Sequence, residues 1–140
     1  MDASTTLSEV FGFSSFRGAQ ADIVERAIAG GDSVVLMPTG GGKSLCYQLP
    51  SIVRPGVGIV VSPLIALMHD QVEALRLLGV RASYWNSTSS DEDVFRTRQA
   101  LRSGELDLLY VAPERLLTPS FLSTLDEIAD AGGIALFAID

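Results

Sequence analysis

Several residue types that most chains use repeatedly are nearly missing from this sequence. Its 140 residues include a single cysteine, Cys46, so no disulfide can form within the chain, and we expect a reducing compartment such as the cytoplasm. No apolar stretch reaches the ~18 residues that a membrane-spanning helix needs, so we expect no membrane partner. Residues 1–4 are polar and acidic, which predicts that no secretion signal is present.

Basic residues are also scarce. Lysine and arginine total 10 against 17 acidic residues, which gives a net charge of −7. Non-specific affinity for nucleic acid comes mostly from basic side chains that neutralise phosphates, so this charge argues against a broad basic DNA-binding surface. A DNA partner would have to be held by local amides and hydroxyls, or by another part of a larger protein.

What the sequence does contain is an alternation of apolar runs and helical patterns. Apolar runs predict strands over 33–37, 57–61, 81–85, 106–111 and 134–139. Helical spacing predicts helices over 17–29, 44–53, 64–78 and 119–129, and another that opens at Ser90. Apolar strands between helices predict an α/β fold with a mostly parallel sheet covered on both faces. No helix follows the last predicted strand to cover it, so we expect a fragment of a longer protein.

The only lysine, Lys43, stands in a glycine-rich loop. The segment Gly40-Gly41-Gly42-Lys43-Ser44 follows the predicted strand 33–37 and precedes a predicted helix. Glycines let backbone N–H groups curl around a polyphosphate, the ammonium reaches the β and γ phosphates, and the hydroxyl holds Mg²⁺. The usual pattern begins with a glycine where this chain has Met37, and the alternative is a glycine-rich turn with a solvated lysine.

Asp140 follows the apolar strand predicted over 134–139. In phosphate-loop proteins an acid at the end of such a strand holds Mg²⁺ together with the loop hydroxyl, which here belongs to Ser44. The alternative is a helix N-cap in a strand–helix turn. The phosphate loop upstream favours the metal role, so we expect a nucleoside triphosphate and Mg²⁺ as ligands.

Two further segments follow predicted strands and carry a proline. Ser62-Pro63-Leu64 comes after strand 57–61, and Pro113-Glu114-Arg115 comes after strand 106–111. A proline is well placed in the first turn of a helix, and free amides at a helix start can hold a phosphate without a basic side chain. Spacing alone favours plain helix initiation at both places.

Taken together, these segments resemble the RecQ family of DNA helicases in helicase superfamily 2. Residues 37–48 (MPTGGGKSLCYQ) resemble motif I of this family, and residues 11–20 (FGFSSFRGAQ) resemble motif 0, a combination that is quite specific to the family. Residues 60–72 and 110–116 are similar to motifs Ia and Ib, and residues 138–140 to the opening of the Asp-Glu-Ala-His box. The similarity covers nearly the whole chain, in order.

The resemblance implies a RecA-like lobe that is incomplete at its C-terminus, with a helical motif 0 region over 1–30 and a phosphate-loop α/β core over 31–140. It places Lys43 on the β and γ phosphates, and Ser44 and Asp140 on Mg²⁺. The remaining ATP contacts that it implies are Phe13, Arg17 and Gln20 around the adenine and the loop residues Pro38, Thr39, Gly40, Gly41 and Gly42. The segments Ser62-Pro63-Leu64 and Pro113-Glu114-Arg115 would contact single-stranded DNA.

The activity that the resemblance implies is ATP hydrolysis coupled to 3′-to-5′ movement along DNA and strand separation in repair and recombination. The implied partners are single-stranded or partly duplex DNA and a second RecA-like lobe, in the cytoplasm or on a bacterial nucleoid. The acid expected after Asp140 and the arginine of the second lobe are not in this chain, so the isolated chain is expected to bind nucleotide weakly and to turn over essentially none. The alternatives are another phosphate-loop ATPase or a kinase, against which residues 13–20 argue, and a non-catalytic nucleotide-binding module.

Overall fold

The structure, a computed structural model, describes residues 2–38 and 42–140. Its strands are β1 (Val57–Val61), β2 (Ala82–Trp85), β3 (Leu108–Val111) and β4 (Ile134–Ile139). Its helices are α1 (Ala3–Glu9), α2 (Gln20–Ile28), α3 (Leu45–Val53), α4 (Ile65–Leu77), α5 (Asp91–Arg102), α6 (Pro113–Leu116) and α7 (Pro119–Ala131). Among these described residues, no helix is both long enough and apolar enough to cross a membrane.

The strands form one parallel sheet in the order β2-β3-β1-β4. Strands β1 and β3 lie at its centre and are buried along their whole length, which explains why their sequences are continuously apolar rather than alternating. The outer strands β2 and β4 combine buried with more exposed positions. The predicted α/β class with a mostly parallel sheet is therefore confirmed.

Each face of the sheet has its own core. On one face, Ile59 and Leu109 pack with Leu101 of α5 and with Phe121 and Ile128 of α7. On the other face, the alternate strand residues pack against α4 and α3, in a core that includes Val60, Met68, Val72, Leu75 and Tyr110. Helices therefore cover both faces, as the composition of the strands predicts.

The two N-terminal helices pack on α3, the helix that follows the predicted phosphate loop. Helix α1, which the sequence patterns did not predict, begins at the N-cap Asp2, whose carboxylate accepts a hydrogen bond from the Thr5 N–H at 2.8 Å. A small core of Leu7, Val24, Leu45 and Leu49 then joins α1 and α2 to α3. This core therefore links the predicted motif 0 region to α3, which begins directly after the predicted phosphate loop.

The prediction of a strand over 33–37 is wrong. This segment has no regular structure, and Val34 and Leu36 are 93% and 94% exposed. A strand requires a neighbour with which to share backbone hydrogen bonds. A cavity of about 720 Å³, lined by Val34 and Val35 and by the whole of β4, lies here instead. The apolar composition indicated a strand, but no strand in the described part of the chain pairs with this segment.

Helix α3 packs on β1 at Gly58, and this contact leaves no room for a side chain. A Cβ atom at Gly58 would lie 2.0 Å from Ser51 Oγ and 2.5 Å from Ser51 Cβ. Ser51 cannot easily turn away, because its hydroxyl donates a hydrogen bond to the Tyr47 carbonyl oxygen at 2.7 Å. The absence of a Cβ at Gly58 therefore sets the distance between the phosphate-loop helix and the sheet.

We expect Gly58→Ala to lower the free energy of unfolding by about 1–3 kcal/mol, the usual cost of overpacking a buried contact. Chemical denaturation of the 140-residue chain measures this change. Adding Ser51→Gly in the same chain is expected to recover part of the loss, because it removes the atoms that the new methyl group meets. A Gly58→Ala chain as stable as the parent would contradict the close packing at this point.

Candidate nucleotide-binding site

The candidate site lies at the edge of the sheet where the parallel strands end. Ser62 follows β1, Pro113 lies two residues after β3, and Asp140 follows β4, so all three stand at the same edge. Backbone hydrogen bonds fix this arrangement: the Asp140 N–H donates to the Val61 carbonyl at 2.9 Å, and the Ser62 N–H donates to the Val111 carbonyl at 3.1 Å. Ligands of open α/β sheets bind at this edge.

Lys43 and Asp140, which are far apart in the sequence, meet there. The Lys43 Nζ lies 3.1 Å from Asp140 Oδ1, with the lysine side chain 51% exposed and the aspartate side chain 13% exposed. The acid is therefore held at the sheet edge, whereas the ammonium group remains accessible from solvent. The end of the phosphate loop and the end of the last strand thus form one site that combines a cation with a carboxylate.

Part of the predicted phosphate loop, Thr39, Gly40 and Gly41, lies outside the described residues. Gly42 has a backbone φ of +78°, which L side chains rarely adopt, and an added Cβ would lie 2.2 Å from Gln20 Nε2. Only glycine fits this position without strain. Pro38, just before the undescribed residues, is exposed.

The residues present at the site fit a magnesium–triphosphate complex. Ser44 is the N-cap of α3, and its hydroxyl is not used to cap the helix. Mg²⁺ in such sites takes one or two oxygen ligands from the protein and the rest from phosphates and water. The Ser44 hydroxyl and the Asp140 carboxylate are oxygen donors of this kind. No group of three or more His, Cys, Asp or Glu side chains in the described residues forms a self-sufficient metal cage.

Of the residues predicted around the adenine, Phe13 and Arg17 lie between α1 and α2, and Gln20 is the first residue of α2. Phe13 is 55% exposed, so its ring is accessible for stacking. Gln20 is only 3% exposed and is engaged at both ends of its amide: Oε1 accepts from the Arg17 N–H at 2.8 Å, and Nε2 donates to the Gly42 carbonyl at 3.1 Å. In this structure Gln20 therefore ties the phosphate loop to the motif 0 region. Whether these residues contact adenine stays a prediction.

The two proline segments differ in their relation to the helices that follow them. Pro113 occupies the first turn of α6, as predicted, with Glu114 exposed and Arg115 partly buried behind it. Pro63 does not occupy a first turn: α4 begins at Ile65 with Leu64 as its N-cap, so the predicted position of Pro63 is wrong by two residues. Pro63 disfavours helical backbone angles at Ser62, the residue before it, and the N-cap Leu64 has an extended backbone, so the helix starts only at Ile65.

Ser62 and Leu64 form a short turn at the end of β1. The Leu64 N–H donates to Ser62 Oγ at 3.4 Å, and Ser62 is 3% exposed whereas Leu64 is 59% exposed. An exposed Pro63 completes the segment. DNA contacts by residues 62–64 and 113–115 remain predictions, but both segments lie at the sheet edge that also bears Asp140.

A partly buried polar cluster behind Asp140 was missed by the sequence analysis. We call Tyr47, Gln48, Gln71 and Tyr110 the hydroxyl–amide cluster. Tyr47 Oη lies 3.0 Å from Asp140 Oδ2 and 3.0 Å from Gln71 Oε1. Tyr110 Oη donates to Gln71 Oε1 at 2.6 Å, and Gln48 Nε2 donates to Tyr110 Oη at 2.9 Å. Its only signal in the sequence is the presence of polar residues within apolar helix faces and strands.

The surroundings keep both phenols of this cluster protonated. Burial is the main factor that raises the pKa of Tyr47, and the neighbouring Tyr110 and Asp140 raise it further. Burial also raises the pKa of Tyr110. Both hydroxyls therefore keep their protons at neutral pH and can donate hydrogen bonds. On the opposite side of Asp140, the other carboxylate oxygen faces Lys43.

A parallel α/β sheet whose strand ends bring a glycine-loop lysine against a carboxylate is typical of phosphate-loop nucleotide-binding domains. The sequence model of the DEAD/DEAH box helicase family matches residues 17–140. The chain therefore belongs to the DEAD/DEAH box helicase family.

Similar curated proteins show which helicases within this family the chain resembles. The chain is 44% identical over 123 residues to the ATP-dependent DNA helicase RecQ of Haemophilus influenzae, covering 88% of this chain and 20% of that protein. It is 40% identical over 139 residues to the RecQ helicase of Bacillus subtilis, covering 99% of this chain and 23% of that one. It is 41% identical over 137 residues to the ATP-dependent DNA helicase Q1 of Rattus norvegicus, covering 96% and 22%.

These relatives confirm the resemblance to RecQ helicases that the motifs indicated. The chain spans about a fifth of the length of the curated relatives that it matches.

Proposed function

We propose that this chain is the N-terminal ATP-binding part of an ATP-dependent DNA helicase that moves 3′ to 5′ and separates strands in DNA repair or recombination. The observation that carries the proposal is the ion pair between Lys43 Nζ and Asp140 Oδ1, 3.1 Å apart at the carboxyl edge of a parallel sheet. It brings together a cation suited to the γ phosphate and an acid suited to Mg²⁺. The names of the curated relatives support the same activity.

In this proposal each residue of the site has a distinct role. Lys43 neutralises the β and γ phosphates, and the Ser44 hydroxyl and the Asp140 carboxylate hold Mg²⁺, which offsets the charge that develops on the transferred phosphate. We assign the backbone N–H groups of residues 39–42 to the polyphosphate, since Pro38 has no N–H. Phe13 stacks on the adenine, and Arg17 and Gln20 lie at its edge.

The proposed DNA partner is single-stranded or partly duplex DNA along residues 62–64 and 113–115. Because the chain carries a net charge of −7 and Ser62 is only 3% exposed, backbone amides of these segments are the groups that we assign to DNA phosphates here. A second RecA-like lobe outside these residues would close the ATP site. We assign the protein to the cytoplasm, in agreement with its single buried thiol, Cys46.

We expect the 140-residue chain to bind ATP weakly in the presence of Mg²⁺ and to hydrolyse almost none. Without the arginine of a second lobe, turnover is expected to fall at least about 10³-fold below that of the full-length protein. Lys43→Ala should weaken nucleotide binding by about 10–100-fold, because it removes a hydrogen bond to a charged group. Isothermal titration with ATP and a steady-state ATPase assay measure both quantities.

Arg102→Ala is the matched control, because Arg102 has a similar exposure of 52% and also pairs with a carboxylate, Glu127, at 2.7 Å. It should leave nucleotide binding unchanged. The absence of magnesium-dependent binding at millimolar ATP would contradict the proposed function. Robust turnover by the chain alone would contradict the need for a second lobe.

A further inference from the structure

The hydroxyl–amide cluster connects the proposed magnesium acid to the elements that bear both proposed DNA segments. Tyr47 lies on α3, three residues after Ser44. Gln71 lies on α4, which begins directly after residues 62–64, and Tyr110 lies on β3, which leads to residues 113–115. The cluster is therefore a continuous line of polar contacts at hydrogen-bond distance from the Asp140 carboxylate to α4 and β3.

The two oxygens of Asp140 have different partners. Oδ1 faces the Lys43 ammonium, whose side chain is half exposed, and Oδ2 faces the hydroxyl of the partly buried Tyr47. A ligand that draws Lys43 away leaves the contact with Tyr47 in place. The Tyr47 hydroxyl is thus the contact that fixes the orientation of the carboxylate from inside the protein.

The Tyr47 hydroxyl lies between two acceptors but has one proton. Asp140 Oδ2 and Gln71 Oε1 are each 3.0 Å away, so donation to one oxygen leaves the other without this hydrogen bond. Gln71 Oε1 also accepts from Tyr110, so a shift of α4 or β3 changes how strongly it competes for the Tyr47 proton. The hydrogen bond has two discrete arrangements, which is the property that coupling between two sites requires.

We propose that Tyr47 is a positioning residue for Asp140 and that, through Gln71 and Tyr110, it couples magnesium–nucleotide binding to DNA binding at residues 62–64 and 113–115. This inference rests on the proposed function. Coupling of this kind is reciprocal, so DNA strengthens nucleotide binding by the same factor by which nucleotide strengthens DNA binding, typically about 5–150-fold.

The test measures binding in the full-length protein rather than turnover alone. The affinity for a fluorescent single-stranded oligonucleotide is measured by anisotropy, with and without a non-hydrolysable ATP analogue and Mg²⁺. The ratio of the two affinities is the coupling. Tyr47→Phe removes only the hydroxyl and is expected to bring the ratio within about 2-fold of one, from the range of about 5–150 in the parent. Nucleotide affinity measured without DNA reports the positioning of Asp140 separately.

A second variant, Gln71→Leu, removes the acceptor on α4 but leaves the contact between Tyr47 and Asp140. We expect it to abolish the coupling as Tyr47→Phe does, and the double variant to be no worse than either single one. Tyr84→Phe is the control, because Tyr84 stacks on His69 outside the cluster at a ring distance of 4.1 Å and should leave the ratio unchanged. Thermal melting verifies that each variant is folded.

The outcomes separate this inference from the proposed function. If Tyr47→Phe and Gln71→Leu keep the parent's coupling while Lys43→Ala loses nucleotide binding, the inference is overturned and the proposed function stands. If Tyr47→Phe weakens nucleotide binding but Gln71→Leu leaves the coupling intact, Tyr47 acts only locally and the route through α4 is overturned. If Lys43→Ala binds the ATP analogue as the parent does, the proposed function itself fails.

Discussion

Replacing Lys43 with alanine in the full-length protein is expected to lower ATP turnover by about 10²–10³-fold, the usual effect of removing one preorganised donor from a site of developing charge. Strand separation should be lost with it, since the two are coupled. The physical reason is the position of Lys43, the only ammonium side chain in this sequence, beside Asp140 at the carboxyl edge of the sheet. The measurements are ATPase rates with single-stranded DNA and displacement of a labelled strand from a partial duplex.

Lys43→Arg is a second informative variant, because it keeps the positive charge of the side chain but changes the shape of the charged group. A planar guanidinium does not replace a compact ammonium inside a tight loop, so we expect this variant to remain strongly impaired. Arg102→Ala, at an ion pair of similar exposure, should behave like the parent. Unwinding that survives Lys43→Ala, or cellular function unchanged by it, would favour a non-catalytic nucleotide-binding module.

The DNA dependence of turnover distinguishes the remaining alternatives. A helicase is expected to hydrolyse ATP faster when single-stranded DNA is added. A kinase or an unrelated phosphate-loop ATPase should show no such stimulation. If single-stranded DNA does not change the ATP turnover of the parent protein, the proposed function is contradicted. This holds even if Lys43→Ala abolishes that turnover.

The fold could be predicted from sequence where local pattern and tertiary packing agree. The spacing of Met68, Val72 and Leu75 predicted the buried face of α4, and all three are buried. Leu64 and Leu78 continue the same spacing but are 59% and 45% exposed, because they lie at the caps, where the chain has left the helical path. Periodicity therefore located the helix and its core face but not its ends.

The strand predicted over 33–37 shows where local pattern is insufficient. Its composition is that of a buried strand, yet a strand also needs backbone hydrogen bonds to a neighbour, and this segment makes none within the described residues although the open edge of β4 lines the same cavity. The meeting of Lys43 and Asp140 was nevertheless predictable from the likeness of the glycine loop to a phosphate loop, although Lys43 follows no strand in the described residues. The hydroxyl–amide cluster was not, since it depends on which strands are adjacent and on the direction in which each side chain points.

Asp140→Asn is expected to separate the binding of Mg²⁺ from the binding of nucleotide. Asparagine keeps an oxygen at this position but loses the charge, so turnover of the full-length protein at low magnesium should fall about 10²-fold, since a bound metal contributes several kcal/mol of charge stabilisation. Raising the magnesium concentration should restore part of the rate, because mass action compensates for weaker binding. ATPase rates over a magnesium titration measure both effects.

Asp140→Asn should lower turnover at low magnesium, but it should not weaken the binding of nucleotide when magnesium is absent. In this structure the Lys43 ammonium, whose side chain is half exposed, is paired with Asp140, and an ion pair open to solvent on one side is worth about 0–1 kcal/mol. Freeing Lys43 should therefore leave magnesium-free ATP binding unchanged or tighten it by up to about 5-fold. Weaker magnesium-free binding would mean that Asp140 acts by holding Lys43 in place rather than by binding the metal. Opposite responses with and without magnesium would identify Asp140 as a metal ligand, because loss of a merely structural carboxylate would weaken both.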